Sequence, residues 1–219
     1  MNQSELNQYK TIRFDGIRYS IFMIEVAFQR LQQKLNVISE SRDPGFYDYA
    51  EVFLDVWSIV DSGLRLLKLS HGLPGIDKNT SAFKNFSKSL EVLENPRHFI
   101  QHSDSQINNL ITKQLPFWGY LTWCWTYGNG KHRLLTLQQG SLAGEVIPAV
   151  NPLGKRINIP VGLIELHGIN FKLDLNNVVW SMVEFKKYLE QTLNLKKDFI
   201  LPGTANDLLV SIDLDTTKK

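Results

Sequence analysis

The chain has a single cysteine, Cys124, in 219 residues. No intramolecular disulfide can form, and zinc sites built on several thiolates are excluded. Such usage fits a reducing compartment. Cys124 lies in Thr122-Trp123-Cys124-Trp125, a strand-like run in which a thiol reads as a packing residue rather than a nucleophile. No uncharged apolar run approaches the ~20 residues needed to span a bilayer. Residues 1–10 are polar and lack the apolar stretch of a signal peptide, so the expectation is a cytoplasmic protein without membrane contact. Neither sign of charge dominates: the formal net charge is +2 and the pI about 8.5. That argues against attachment to nucleic acid by bulk electrostatics, while a local basic site stays open. No internal repeat or low-complexity segment is visible.

What is present is a 43% hydrophobic content, ordinary for a chain that buries a core, in one large domain or one domain with an appendage. Phe14, Ile17, Ile21, Ile24, Phe28, Leu31, Leu35 and Ile38 recur at alternating three- and four-residue spacing. One face of a long helix is implied, ending before Asp43-Pro44-Gly45. A second helix is expected from about 46 to 69. Tyr49, Phe53, Val56, Val60, Leu64 and Leu67 form its apolar face, and Asp48, Glu51, Asp55, Ser58 and Ser62 a polar one. Gly72-Leu73-Pro74-Gly75 ends it. The short link implies an antiparallel pair. A third helical stretch spans about 81–114 and restarts near Asn95-Pro96, with Asn95 read as the cap and Pro96 as the first helical residue.

From Pro116 the period changes to two. Phe117, Gly119, Leu121, Trp123, Trp125 and Tyr127 share one face of an expected strand, Asn129-Gly130 marks a hairpin, and His132–Gln138 returns. A loop is expected over 140–152, further strands near 157–166 and 169–175, and a final helix from an Asn176 cap to about Leu193, buried through Val178, Met182, Phe185 and Leu189. The expected fold class is α+β: an antiparallel helical bundle with a β-hairpin-rich insertion before the last helix. Its parts are a bundle over 1–115, the insertion over 116–175, and a helix returning to the bundle with a tail over 176–219.

The segment Asn95-Pro96-Arg97-His98-Phe99-Ile100-Gln101-His102-Ser103-Asp104 holds an arginine, four residues, then a histidine, with a polar residue directly after the arginine. On a wheel at ~100° per residue, Phe99, Ile100, Ile107, Leu110 and Ile111 share one side. His98, His102 and Ser105 fall opposite and should face solvent or a partner. Arg65 to His71 also fits the spacing, but Leu66 follows Arg65.

The Arg97-x-x-x-x-His102 pattern in a helical bundle resembles the HEPN superfamily, and the context is similar to a group of uncharacterised bacterial members. His98 stands where asparagine is commoner, and Gln101 where an acid often stands. The likeness covers the helical part only. It implies a metal-independent endoribonuclease, in a toxin or defence setting, with Arg97 and His102 at a homodimer interface. Arg97 would hold the phosphate, aided by the amides of a helix start near Asn95. His102 would move a proton, and His98 would be a second proton carrier or a substrate contact. On a regular helix Arg97 and His102 point ~140° apart, so one copy makes a poor site. Asp61 is a candidate orienter of Arg97, or else an i, i+4 partner of Arg65. The resemblance also admits a non-catalytic module that binds nucleotide, RNA or a protein partner.

Other patterns point elsewhere. His98 and His102 are spaced as metal ligands, but Asp104 is on another face, and no metal or cofactor is expected. His132 and His167 lie near turns and are expected at the surface. Gly128-Asn129-Gly130-Lys131 is better explained by a hairpin than by a phosphate loop. Phe117, Trp118, Tyr120, Trp123, Trp125 and Tyr127, followed by Lys131, His132 and Arg133, form either a base-stacking platform or a packed strand. In the first case Trp123, Trp125, Lys131 and Arg133 are RNA contacts. A third possibility is an interaction protein whose β segment supplies the surface.

Overall fold

The three–four apolar rhythm of the first segment folds as one helix, α1 (Gln3–Ser41), and the next as α2 (Phe46–His71). The computed structural model describes residues 3–41, 45–128, 130–139, 163–196, 199–204 and 207–208. The two helices run antiparallel: Arg13 Nη1 donates to the Leu69 carbonyl at 3.1 Å near one end, and Lys34 Nζ pairs with Asp48 at 2.9 Å near the other. Every residue of the expected α1 stripe is buried except Phe28, which is partly so. The expected polar face of α2 is only half polar in its surroundings. Asp55 is 4% exposed and Ser62 is buried, because α1 lies along that flank and sends Arg30 to the Asp55 carboxylate. Gly45 precedes α2, and its N–H donates to Asp48 Oδ2 at 2.8 Å.

The third helical stretch is three pieces: α3 (Ser81–Glu91), α4 (Glu94–Gln101) and, after a single 3-10 turn at Ser103–Gln106, α5 (Ile107–Lys113). Thr80 caps α3, its hydroxyl accepting from the Phe83 N–H at 3.3 Å. The restart comes two residues earlier than Asn95 implies. Leu93 occupies the cap position, and Asn95 and Pro96 are the second and third helical residues. A proline is tolerated there because the first-turn amides have no intrahelical acceptor.

The change of period at Pro116 corresponds to a four-stranded antiparallel sheet of order β2-β1-β3-β4. Its strands are β1 (Tyr120–Tyr127), β2 (Lys131–Gln138), β3 (Ile164–His167) and β4 (Lys172–Asp174). The β1–β2 hairpin pairs Tyr127 with Lys131 and Tyr120 with Gln138. The loop expected over 140–152, and the first part of the third expected strand, lie outside the described residues. The last helix, α6 (Leu175–Leu193), is capped by Asp174, whose Oδ1 accepts from the Asn177 N–H at 3.0 Å. Asn176 is not the cap; its Oδ1 accepts from the Ile164 N–H at 2.8 Å and ties α6 to β3.

One core joins these parts. It includes Leu121, Trp123, Leu166 and Leu173 from the sheet, Phe83 and Phe86 from α3, and the predicted stripe of α6. Phe86 and Phe185 stack with centroids 3.7 Å apart. The bundle, insertion and last helix read as separate segments in the sequence therefore share a single hydrophobic interior. The tail takes part too: Phe199 and Leu201 are buried, and buried Arg18 pairs with Asp207. Among the described residues no helix is long and apolar enough to cross a membrane.

Candidate functional site

Arg97 reaches its place through close packing of α4 on α2. Gly63 makes this possible, since a Cβ there would stand 2.4 Å from Leu93 Cδ1. Leu93 is fully buried against α2, and one turn further on Arg97 Nε donates to Asp61 Oδ1 at 3.0 Å. The same carboxylate accepts from Arg65 Nη2 through Oδ2 at 2.6 Å. Both readings of Asp61 therefore hold at once, and it bridges two guanidinium groups. All three side chains are partly open to solvent. The cluster carries one net positive charge, and Arg97 Nη1 and Nη2 have no hydrogen-bond partner among the described residues.

His98 leaves α4 about 100° further round. It faces a cleft of about 170 Å³ lined by Asn95, Phe99, Gln106, Ile169, Asn170 and Phe171. Its ring lies 4.5 Å from that of His102, and both histidines are exposed, as the wheel requires. His102 is where α4 ends, with φ −121° and ψ 24°. The Ser103 hydroxyl turns back to the Ile100 carbonyl at 3.1 Å, and the 3-10 turn follows. The motif is thus divided over two flanks of α4. Arg97 joins Asp61 and Arg65 on the α2 side, while His98 and His102 stand together on the other. Asn95 belongs to the histidine flank as a cleft residue rather than as a cap.

The expected RNA contacts on the sheet separate. Trp123 is buried, and its indole Nε1 donates to Ser39 Oγ of α1 at 2.9 Å, so it is a core residue and offers no face to a base. Trp125 is partly buried and stacks on Tyr127 at 5.3 Å, with Arg133 over both rings. Lys131 is exposed beside them at the hairpin end. Trp125 and Tyr127 form a groove with Asn36 and Glu40 at the C-terminal end of α1. Asp61 lies four turns along the antiparallel α2, roughly 20 Å away. Hairpin and motif do not make one site. Lys131 N–H bonds back to the Gly128 carbonyl at 3.1 Å, a hairpin turn as expected.

Two further polar groups went unread in the sequence. His71 Nε2 lies 3.2 Å from Ser87 Oγ, which donates to Glu91 at 3.0 Å. The carboxylate is on the serine instead of the imidazole, so the hydroxyl proton is already committed and the order does not activate a nucleophile. On the outer face of the sheet, His167 stacks on Tyr120 at 4.7 Å and bonds Thr122 Oγ1 at 2.9 Å. Glu165 stands 3.5 Å from it and pairs with Lys172. His167 is therefore half-buried instead of a surface residue. Burial pushes its imidazole below the ordinary histidine range, against the opposing pull of Glu165. Neither group was legible because each is closed by a contact distant in sequence, His71 to Ser87 across 16 residues and Thr122 to His167 across 45. Among the described residues no three His, Cys, Asp or Glu side chains gather as a metal-binding group. Compared with known protein families, curated proteins and solved structures, the chain returns no match.

Proposed function

We propose that the protein is a metal-independent endoribonuclease of HEPN type, with its site completed across a homodimer. The observation that carries this reading is the pairing of an anchored arginine with two adjacent exposed imidazoles on one short helix. Asp61 orients Arg97 through Nε and leaves its outer nitrogens for a phosphate. His98 and His102, with rings 4.5 Å apart, supply the two proton carriers the reaction needs. One imidazole takes the proton of a ribose 2′-hydroxyl, whose oxygen attacks phosphorus. The bond to the 5′-oxygen breaks, and the second imidazole gives that oxygen a proton. Arg97 neutralises charge on the non-bridging oxygens. The products are a 2′,3′-cyclic phosphate and a 5′-hydroxyl. Because the motif is divided over two flanks of α4, a second copy is required to bring an Arg97 and a histidine pair onto one phosphate.

The test is cleavage of a mixed-sequence RNA in EDTA. Wild type should leave cyclic phosphate ends, and His102→Ala should lose on the order of 10²-fold or more in rate. Equal cleavage by both proteins, or none by either, sinks the reading. The second reading, a non-catalytic module for nucleotide, RNA or a protein partner, is favoured by the same division of Arg97 from the histidines. In that case binding survives His102→Ala and falls with Arg97→Ala.

A further inference from the structure

The segment between α5 and β1 displays aromatic rings where a turn normally carries polar or small residues. Gly119 N–H bonds to the Pro116 carbonyl at 3.0 Å, so Phe117 and Trp118 are the two central residues of a tight turn. They are 40% and 42% exposed, with centroids 5.3 Å apart. The turn is held firmly. Gly119 has φ +78°, and a Cβ at that position would stand 2.4 Å from the His167 carbonyl oxygen, so only glycine fits against β3. Trp118 lies edge-on to Trp57 of α2 at 6.5 Å. Trp57 is one helical turn before Asp61 on the same flank, about 6 Å along the axis. An exposed indole therefore rests against the flank of α2 that carries the Arg65–Asp61–Arg97 cluster, about one helical turn from it, and the cluster's excess positive charge suits one anionic group.

An exposed aromatic face next to a paired guanidinium group is the chemistry that holds an unpaired nucleotide: the base stacks and the phosphate pairs with arginine. We infer that this surface is the RNA-binding part of the site, taking one unpaired base on Trp118 and an adjacent phosphate on Arg65 and Arg97. Single-stranded RNA is thereby the substrate class. A base held in a duplex keeps its stacking partners and cannot lie on the indole. The inference rests on the RNA reading above and adds Trp118, Phe117 and Arg65 to it.

The experiment is anisotropy of a labelled, short 2′-O-methyl RNA with the purified full chain in EDTA. The strand lacks the 2′-hydroxyl, so binding is read whether or not the protein cleaves RNA. Trp118→Ala should bind about tenfold more weakly, the effect of losing one base–aromatic stack, and Trp118→Phe should restore most of the affinity. Arg65→Ala, at an exposed position that folding tolerates, should weaken binding and reduce the slope of log affinity against log salt by about 0.7. The duplex of the same sequence should bind more weakly than the single strand. The inference is overturned if wild type does not bind the strand, if Trp118→Ala or Arg65→Ala binds as wild type does, if the duplex binds as tightly, or if loss of affinity follows Arg133→Ala alone, which would put the strand on the hairpin. Binding through Trp118 without cleavage of unmodified RNA would uphold the inference and remove the nuclease reading. Cleavage with affinity indifferent to Trp118 would do the reverse.

Discussion

The α1–α2 pair and the stretch from α4 to α5 both present an apolar stripe at helical spacing, and they meet different fates. In α1 the stripe is a single seam from Phe14 to Ile38, buried throughout except for the partly buried Phe28. Between α4 and α5 the same kind of stripe is cut. Phe99 and Leu110 are buried, while Ile107 and Ile111 are 48% and 55% exposed, against the expectation that all would share one core face. The cause is the break at His102. A 3-10 turn of about three residues per turn replaces the 3.6 of the flanking helices, so the two halves are out of phase. The comparison teaches that a long apolar repeat holds its face when a partner helix covers every turn. A short stretch lets local bonds, here Ser103 to the Ile100 carbonyl, choose the path.

Three substitutions probe that contrast by urea unfolding at unchanged slope. Leu31→Ala in the seam should cost about 2–5 kcal/mol, the effect of deleting a fully buried leucine side chain. Ser103→Ala at the break should cost about 1 kcal/mol, since one partly buried hydrogen bond is lost. Ile107→Ala on α5 should change stability by less than about 0.5 kcal/mol, as befits an exposed position. Should Ile107→Ala prove as damaging as Leu31→Ala, the break would not be the reason the stripe is exposed, and the contrast would fall.

Much of the architecture was legible because period and breakers agree over long stretches. The stripes of α1, α2 and α6, the hairpin around Gly130 and the sheet before the last helix all follow from spacing. The ends of the elements were less legible. Asn95 and Asn176 look like caps, yet Leu93 and Asp174 occupy the cap positions, because a neighbouring element decides which residue leaves the helix first. The surroundings of polar residues were hidden as well. Asp55 belongs to the polar face expected of α2 but is covered by α1, and His167 sits at a turn but is half-buried under Tyr120.

The candidate site divides the same way. The sequence by itself brought Arg97, His98 and His102 onto one helical stretch and turned the two histidines outward, since four residues on a helix return to one face. It also set Arg97 ~140° away from His102 on a regular helix. That Asp61 bridges Arg97 and Arg65 at once, and that Trp123 is core while Trp118 is exposed against Trp57 on the same flank of α2, were decided by tertiary structure alone. Those facts depend on how closely α4 lies on α2 over Gly63 and how Gly119 is clamped against β3. Such distances are set by contacts between residues far apart in the chain, which no local pattern records.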